Sequence, residues 1–422
     1  MAAAAGRAFE CGQLRAPAAG RSRPVRPGLA AGDSRVQTPA MARIQHAGRG
    51  IGPETQAEKA RCLMSSTARA AAAPTRLDQV DALRGLAALA VVFFHYTTQH
   101  QKLFTPATAA SFSVPWGHLG VNLFFIISGF VIFMTLDRCR QPMDFVVSRF
   151  SRLFPSYWLA IALTFTVVSI FGLPGKEVSA WQAAANVVML HGFAHIPHVD
   201  GVYWTLEVEM LFYIAMFTLY RVGQLSAVHR AIAVLLSIKL VYLACAQFLS
   251  IDLPWILHRA LFLGTAPWFA LGICVRQLTQ LAEPTTTPAP ALKRSIAISV
   301  LLALLTIAWG EGWHMAVLAA SLTLVVHAAA LGHLPMLRLR LLGWLGAISY
   351  PLYLLHENIG WVLMNQLLAR GMPIDVVVAL ALLFSLALAH LITQWVERPA
   401  MAAIRRRWAQ RQQGHTASPR SV

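Results

Sequence analysis

The sequence DALRGLAALAVVFFHY, residues 81–96, is almost entirely apolar between an acidic start and a histidine. A helix needs about 20 mostly apolar residues to cross a bilayer, and stretches approaching that length recur along the chain. Because every backbone polar group inside lipid needs an internal partner, these stretches are predicted to be helices. They lie at 83–97, 119–136, 153–172, 202–220, 231–249, 258–275, 295–309, 314–332, 345–367 and 374–396. The predicted fold is all-α, a polytopic membrane bundle of about ten transmembrane helices.

Composition and charge support the same class. Of the 422 residues, 57% are hydrophobic and only 13% are charged, whereas a soluble domain carries about 25% charged residues. The net charge of +17 is compatible with nucleic-acid binding. However, with the N-terminus inside, the predicted cytoplasmic segments hold seventeen Lys and Arg residues and the outer segments four. This bias is typical of membrane topology, so we expect cytoplasmic termini, a multi-pass protein of the inner (plasma) membrane and no nucleic-acid partner.

The composition divides the chain into three regions. Residues 1–76 are rich in Ala, Arg, Gly and Pro and are expected to be disordered. Residues 77–400 form the transmembrane domain, in which the Pro/Thr-rich segment 282–291 links two halves, and residues 401–422 form a basic cytoplasmic tail. No secretory signal is expected, and a true start at Met41 or Met64 is an open alternative. The five cysteines predict neither a disulfide framework nor a zinc site.

Two ionisable residues lie within the first predicted span, where such groups are costly and by default mark function. Arg84 and His95 are eleven residues apart, which leaves a rotation of about 20° on a helix and a separation of roughly 16 Å. We therefore expect both side chains to line one shared cavity. An interfacial arginine and a histidine hydrogen-bonded within the bundle are the alternative.

Other polar residues flank the second, third and last spans. Arg149 and Arg152 share a helix face and suit bidentate phosphate binding, although an ordinary positive-inside flank explains them equally well. Ser128 precedes a glycine, a pattern more typical of helix packing than of catalysis. Glu397 and Arg398 are expected to pair with each other.

The fourth span contains two carboxylates, which are hard to explain by structure alone. Glu207 and Glu209 lie about 200° apart on a helix, so one site cannot easily use both. Glu209 shares a stripe with Thr205 and Tyr213, whereas Glu207 shares one with Tyr203.

Histidines occur in two further places. His356 lies in the ninth span, where it can share a face with Ser349 and Tyr353, and Glu357 follows it. His191, His195 and His198 have helical spacing, but Pro197 interrupts them and a hydrated outer loop is expected rather than a metal site. No metal is expected.

Six motifs together resemble the acyltransferase-3 family of integral-membrane O-acyltransferases, which acylate cell-envelope and exported carbohydrates. The resemblance extends from about residue 77 to 400, with the motifs in the family's order. They are D-x-x-R-G with R-x10-H at 81–95, G-V-x-L-F-F-x-x-S-G-F at 120–130, R-F-x-R-x-x-P-x-Y-W at 149–158, W-[ST]-L-x-x-E with F-Y at 204–213, I-S-Y-x-x-Y-L-x-H at 348–356 and W-x-E-R-P at 395–399.

This resemblance implies that Arg84 and His95 are essential and that the family's glutamate corresponds to Glu209, with Glu207 a departure from the pattern. It implies an enzyme of the O-acetyltransferase type. The expected donor substrate is acyl-CoA, most simply acetyl-CoA, and no bound cofactor is expected. His95 is the expected general base, since histidine's ordinary pKa of about 6.5 suits that task, or the transient acyl carrier. Glu209 or Glu207 is expected to orient it. The binding residues are expected to be Arg149, Arg152, Ser128, Tyr203, Trp204, Tyr213, Ser349, Tyr353 and His356.

The expected partners are membrane lipid and a carbohydrate or glycolipid acceptor. Family members stand alone or carry a fused periplasmic esterase-like domain. This chain is expected to stand alone, which leaves open a separate periplasmic partner. A secondary transporter or flippase for a lipid-linked or small polar substrate is the alternative, although no internal repeat favours it.

Overall fold

The computed structural model describes residues 77–106, 109–139, 141–282 and 290–416. The predicted disordered segment 1–76 and most of the predicted linker 282–291 lie outside these residues. The described chain is all-α and contains no strand. Its longer helices are α1 (Leu77–Phe93), α2 (Gly120–Arg138), α3 (Pro142–Phe171), α4 (Trp204–Arg221), α5 (Val228–Leu249), α6 (Ala266–Leu281), α7 (Pro290–Glu311), α8 (Trp313–Ala330), α9 (Arg340–Leu355), α10 (Glu357–Leu368), α11 (Ile374–Ile392) and α12 (Arg398–Thr416).

Short helical pieces connect or extend the long helices. A π-turn, Phe94–Gln99, and the short helix His100–Phe104 continue α1, and a second π-turn, Thr393–Glu397, joins α11 to α12. Two more short helices, Ala180–Ala185 and Trp255–Ala260, lie between long ones. The 3₁₀ turns are Pro115–Leu119, Asn186–Val188, His191–Ala194, Gly201–Tyr203, Leu225–Ala227 and Pro335–Arg338.

Eight helical stretches in the described part of the chain are long and apolar enough to cross a membrane. The polytopic membrane fold is therefore confirmed. The other two predicted spans, 258–275 and 345–367, form α6 and the pair α9–α10, and none of these helices exceeds 16 residues. The count of ten and the cytoplasmic location of both termini stay predictions.

The ninth predicted span is not one continuous helix. The helix α9 ends at Leu355, and α10 begins at Glu357, with His356 between them. Broken helices are tolerated at membrane depth where protein surrounds them, and both His356 and Glu357 are buried. The break therefore places two consecutive polar side chains inside the bundle.

Close glycine contacts hold the centre of the bundle together. A Cβ atom added to Gly129 in α2 would overlap the carbonyl of Phe269 in α6. A Cβ atom added to Gly346 in α9 would likewise overlap the carbonyl of Asp81 in α1. Small residues at such positions let helix backbones approach closely, which is a main source of association in lipid. The pair α1–α9 carries Arg84, His95 and the break, so this packing fixes their relative positions.

Two glycines of α9 offer a matched test of this packing. Gly346→Ala forces a methyl group against the α1 backbone and should destabilise the protein by about 1–3 kcal/mol. Gly343→Ala meets no atom within 4 Å and should be neutral or slightly stabilising, because alanine is the better helix former. Thermal unfolding in detergent measures both variants. Equal melting temperatures for the two would contradict the close approach.

Candidate functional site

The imidazole of His95 is held in a defined orientation at the start of the π-turn that follows α1. Its Nδ1 lies 2.9 Å from the carbonyl oxygen of Val91 and 3.1 Å from Nε2 of His356. Nδ1 of His356 lies 2.9 Å from the carbonyl oxygen of Tyr353, so it must carry a proton in order to donate. Nε2 of His356 is then an acceptor, and Nδ1 of His95 is the donor. In the neutral ring this arrangement leaves the lone pair of His95 on Nε2.

A carboxylate faces this nitrogen. Oε2 of Glu357 lies 3.5 Å from Nε2 of His95, and Oε1 of Glu357 lies 3.4 Å from Nζ of Lys176. Lys176 also lies 5.1 Å from the ring centroid of Trp361, whose indole N–H donates to the carbonyl of His95 at 3.0 Å. A Cβ atom on Gly201 would overlap the Glu357 carboxylate. Glu357 is thus fixed beside His95, ready to stabilise an imidazolium.

Glu357 is the main site residue that the spacing argument missed. The sequence places it directly after His356, and on a continuous helix neighbouring residues point in different directions. The break between α9 and α10 removes this restriction. The only feature of the sequence that pointed to Glu357 was its position next to a histidine inside an apolar span.

His95 and Glu357 line a cavity of about 410 Å³, called here the His95 cavity. It adjoins the turn before α4 and the ends of α6 and α7, so several helices contribute to it. Its remaining polar and aromatic lining includes Phe94, His118, Asn122, Trp204, Trp268 and Glu311.

Arg84 lines a second, smaller cavity of about 60 Å³, the Arg84 cavity, together with Ser128 and Glu209. Oε1 of Glu209 accepts hydrogen bonds from Ser128 at 2.5 Å and from Tyr213 at 2.6 Å. Arg84 lies 3.7 Å from Asp81. This cavity is therefore rich in polar groups with fixed positions.

The two cavities adjoin and do not form the single shared cavity expected from the sequence. Val121, Phe125 and Tyr353 line both of them and form a common wall. The hydroxyl of Tyr353 is fixed by Thr205, whose Oγ1 lies 2.9 Å away. Arg84 and His95 thus lie on the two sides of one wall.

The expected orientation of His95 by Glu207 or Glu209 is corrected by these contacts. Glu209 is hydrogen-bonded to Ser128 and Tyr213, as described above. Glu207 is fully buried and accepts two hydrogen bonds from Arg259, at 2.7 and 2.6 Å. The carboxylate beside His95 belongs to Glu357.

Three arginines gather near the start of α3, in a group called here the arginine cluster (Arg149, Arg152 and Arg405). Arg152 forms a buried ion pair with Glu397, which corrects the expected pairing of Glu397 with Arg398. Nε of Arg405 lies 3.3 Å from Oγ of Ser151. Nε of Arg149 and Nη2 of Arg152 are buried without a hydrogen-bond partner among the described residues. These two N–H groups therefore have no acceptor among the described residues.

Four other predicted binding residues fall in different places. Tyr353 lines both cavities, Ser349 lines the Arg84 cavity, and Trp204 lines the His95 cavity with 42% of its surface exposed. Tyr203 is buried against Tyr157, with ring centroids 5.1 Å apart, and lines neither cavity. Tyr203 therefore packs the bundle.

The histidine-containing loop before α4 is not simply a hydrated segment. His191 is buried, and its Nε2 lies 2.7 Å from Nδ1 of His198. A Cβ atom on Gly192 would overlap the ion pair of Glu207 with Arg259. Burial and the neighbouring His198 lower the pKa of His191 to about 4, and burial and Arg259 lower the pKa of His198 to about 4. The loop closes over a buried ion pair.

Comparison with known proteins agrees with this architecture. The acyltransferase domain that defines the acyltransferase-3 family matches residues 77–394. The chain belongs to this family. It is 28% identical over 345 residues to the putative membrane-bound transacylase BcsY of Komagataeibacter xylinus, a match that covers 74% of the chain and 80% of the relative.

Other relatives match over shorter segments. The exopolysaccharide production protein ExoZ of Rhizobium meliloti is 30% identical over 115 residues, 23% of the chain and 32% of the relative. The peptidoglycan O-acetyltransferase OatA of Listeria monocytogenes is 25% identical over 158 residues, 33% of the chain and 23% of the relative. The match with ExoZ thus spans about a third of that relative's length, and matches with two further relatives span 46% and 52% of theirs. No solved structure matches the chain significantly.

The paired histidines of the loop predict a loss of stability in acid. Their pKa of about 4 in the folded protein lies below the value of about 6.5 for an unfolded histidine. Between these values the unfolded chain binds more protons, so stability falls as the pH drops from about 6.5 to about 4. The melting temperature of the double variant His191→Gln, His198→Gln should depend less on pH in this window. His314→Gln, at an exposed position, is the control and should retain the wild-type slope; an unchanged slope in the double variant would contradict the assignment.

Proposed function

We propose that this protein transfers an acyl group, acetyl as the first choice, from cytoplasmic acyl-CoA to a hydroxyl of a cell-envelope or exported carbohydrate at the inner (plasma) membrane. Membership in the acyltransferase-3 family supports acyl transfer. Two relatives, an exopolysaccharide production protein and a peptidoglycan O-acetyltransferase, support a carbohydrate acceptor.

The observation that carries the proposal is the position of Nε2 of His95, which lies 3.5 Å from the carboxylate of Glu357 at the edge of the His95 cavity. A hydroxyl is a weak nucleophile until a base removes its proton. In the proposed step, Nε2 of His95 takes the acceptor's proton while the hydroxyl oxygen attacks the thioester carbonyl. The C–S bond then breaks, and the CoA thiolate receives a proton from the imidazolium, which restores the neutral ring.

Glu357 would act on the charge that His95 acquires. A carboxylate 3.5 Å from Nε2 stabilises the imidazolium formed during the attack and helps keep the ring in place. Lys176 holds the other carboxylate oxygen and keeps Glu357 from turning away. The place that an aspartate takes in Ser-His-Asp sites, opposite the nitrogen that acts as base, is occupied here by the carbonyl of Val91.

The arginine cluster would bind the donor. The phosphates of acyl-CoA require several charge-assisted hydrogen bonds, and the cluster offers unpartnered N–H groups on Arg149 and Arg152. Arg84 lines the Arg84 cavity together with the residues of the common wall, and there it would stabilise the negative charge that develops on the thioester oxygen. The donor would thus approach His95 through the Arg84 cavity.

Substitution of the base should stop transfer without preventing insertion. In membrane vesicles supplied with radiolabelled acetyl-CoA, His95→Gln should lower base-labile incorporation into carbohydrate by about 100-fold or more. Glu357→Gln should lower it roughly 10- to 100-fold, and Glu357→Asp should recover part of the loss. The matched control is His100→Gln. His100 is buried about one helical turn after His95, is hydrogen-bonded to Asn365, and lines neither the His95 cavity nor the Arg84 cavity.

Three outcomes would count against this mechanism. Wild-type transfer in His95→Gln would remove His95 as the base. Base-labile label on the protein itself would favour a histidine-bound acyl intermediate over direct transfer. The absence of any transfer by the abundant wild-type protein would favour the rival interpretation, a transporter or flippase.

The donor assignment has a separate test. Arg149→Ala should raise the KM for acetyl-CoA about 10-fold at low salt, with a smaller effect on kcat, and the increase in KM should be smaller at high salt because salt screens the interaction with phosphate. Because Arg152→Gln alone would leave Glu397 without its partner, it should be combined with Glu397→Gln, and this pair should also raise the KM. Arg138→Ala, an exposed arginine at the end of α2, is the control. An unchanged KM in both test variants would leave the arginines with a topological role alone.

A further inference from the structure

A second carboxylate lines the His95 cavity and has no part in the mechanism above. Glu311, the last residue of α7, is held through Oε1 by the indole N–H of Trp268 at 3.3 Å and by Nζ of Lys239 at 3.8 Å. Both contacts involve the same oxygen. Oε2 has no hydrogen-bond partner among the described residues, and the side chain is 28% exposed.

The way in which Glu311 is held differs from an ordinary surface ion pair. The Lys239 side chain is only 6% exposed, and Trp268 is buried. Burying a lysine is expensive unless a partner compensates, so α5, α6 and α7 together fix this carboxylate at the cavity edge. A carboxylate that is fixed through one oxygen and open at the other is suited to accept hydrogen bonds from a ligand.

The surroundings of Glu311 in the cavity are aromatic and polar. Trp204, 42% exposed, supplies most of the aromatic surface, the buried rings of Trp268 and Phe125 form the wall behind it, and Asn122 supplies an amide. Such a combination of flat apolar surface with a few fixed polar groups is typical of small-molecule sites. It matches a ring with one apolar face and hydroxyl groups at its edge.

We propose that Glu311 is the acceptor-recognition carboxylate, which accepts hydrogen bonds from hydroxyl groups of an uncharged sugar ring and sets its position relative to His95. This inference rests on the proposed function, because it assigns the acceptor to the His95 cavity. It adds a specificity-determining residue and a substrate class, a neutral pyranose ring without an acidic group at the bound unit.

The charge of the lining supports a neutral acceptor. Among the described residues that line the His95 cavity are two carboxylates, Glu311 and Glu357, and no lysine or arginine. Lys239 and Lys176 neutralise these carboxylates from behind and do not line the cavity. A uronate or phosphate on the bound ring would therefore face carboxylates in a site with low dielectric, which is strongly unfavourable.

The test uses two matched probes that differ in charge, octyl β-D-glucopyranoside and octyl β-D-glucuronide, added below their micelle concentrations to the full-length protein in nanodiscs. Quenching of tryptophan fluorescence measures binding, since Trp204 and Trp268 line the cavity. The wild-type protein should bind the glucoside saturably and the glucuronide about 10-fold more weakly or not at all. Equal binding of both probes, or no saturable binding of the glucoside, would overturn the inference.

Variants identify the residue responsible. Glu311→Gln should weaken glucoside binding about 10-fold, and Glu311→Asp should weaken it less. Because Glu311→Gln leaves Lys239 without its partner, the double variant Lys239→Met, Glu311→Gln provides a second test in a bundle without the buried charge. Asp252→Asn, an exposed carboxylate before α6, is the control. If Glu311→Gln and the double variant both bind the glucoside with wild-type affinity, the role of Glu311 is refuted.

Turnover with labelled acetyl-CoA then separates this inference from the proposed function. Glu311→Gln should raise the KM for the glucoside about 10-fold and leave the KM for acetyl-CoA unchanged. If both the wild type and Glu311→Gln transfer the acetyl group with the same KM for the glucoside, the inference about Glu311 is refuted and the proposed function is retained. If the wild type binds the glucoside in a way that depends on Glu311 but transfers no acetyl group, the proposed function is refuted and the sugar site is retained.

Discussion

The chemistry available in this bundle depends on how the imidazole of His95 is held, by the carbonyl of Val91 and by the imidazole of His356. His356 lies at the break between α9 and α10, where its Nδ1 donates to a backbone carbonyl. Its other nitrogen can then only accept, so Nδ1 of His95 must donate. Reversing this order would leave buried polar atoms facing one another without a proton, which is costly at low dielectric. The carbonyl of Val91, 2.9 Å from the same nitrogen, can also only accept, so both contacts of Nδ1 leave the lone pair of the neutral His95 ring on Nε2.

Buried charges in the bundle follow a second common rule, in which the partners come from elements far apart in the sequence. Each pair has at least one buried member, whose charge would be left uncompensated if its partner were removed, so each pair also fixes the elements that carry it. Other carboxyl groups are held differently: Glu209 accepts from the hydroxyl groups of Ser128 and Tyr213, Asp200 accepts from backbone N–H groups, and Asp81 contacts Arg84 on the same helix. The pairs are Glu207 with Arg259, Glu311 with Lys239, Glu357 with Lys176 and Glu397 with Arg152.

The helix break at His356 and the ion pairs between distant residues explain how far the sequence could predict the structure. The membrane bundle could be predicted, because apolar stretches of near-bilayer length leave no alternative to helices. Arg84 and His95 line two adjoining cavities and not the single one predicted, although α1 is regular up to Phe93. Glu357 was missed because the helical phase was counted across 345–367 as if it were continuous. The partners of Glu207 and Glu397 lie 52 and 245 residues away, and residue spacing contains no information on contacts of that range.

The common wall between the two cavities has a consequence for how acyl transfer would proceed. The Arg84 cavity, at about 60 Å³, has room for a few waters but not for the pantetheine arm of CoA. Under the proposed function, the wall must therefore open before the thioester reaches His95. The backbone of α2 cannot easily move, because Gly129 packs directly on α6. The side chains of Phe125 and Tyr353 must then rotate instead, and Tyr353 must release its hydrogen bond to Thr205. Such a gate would keep water from the thioester until the donor has arrived, which limits hydrolysis.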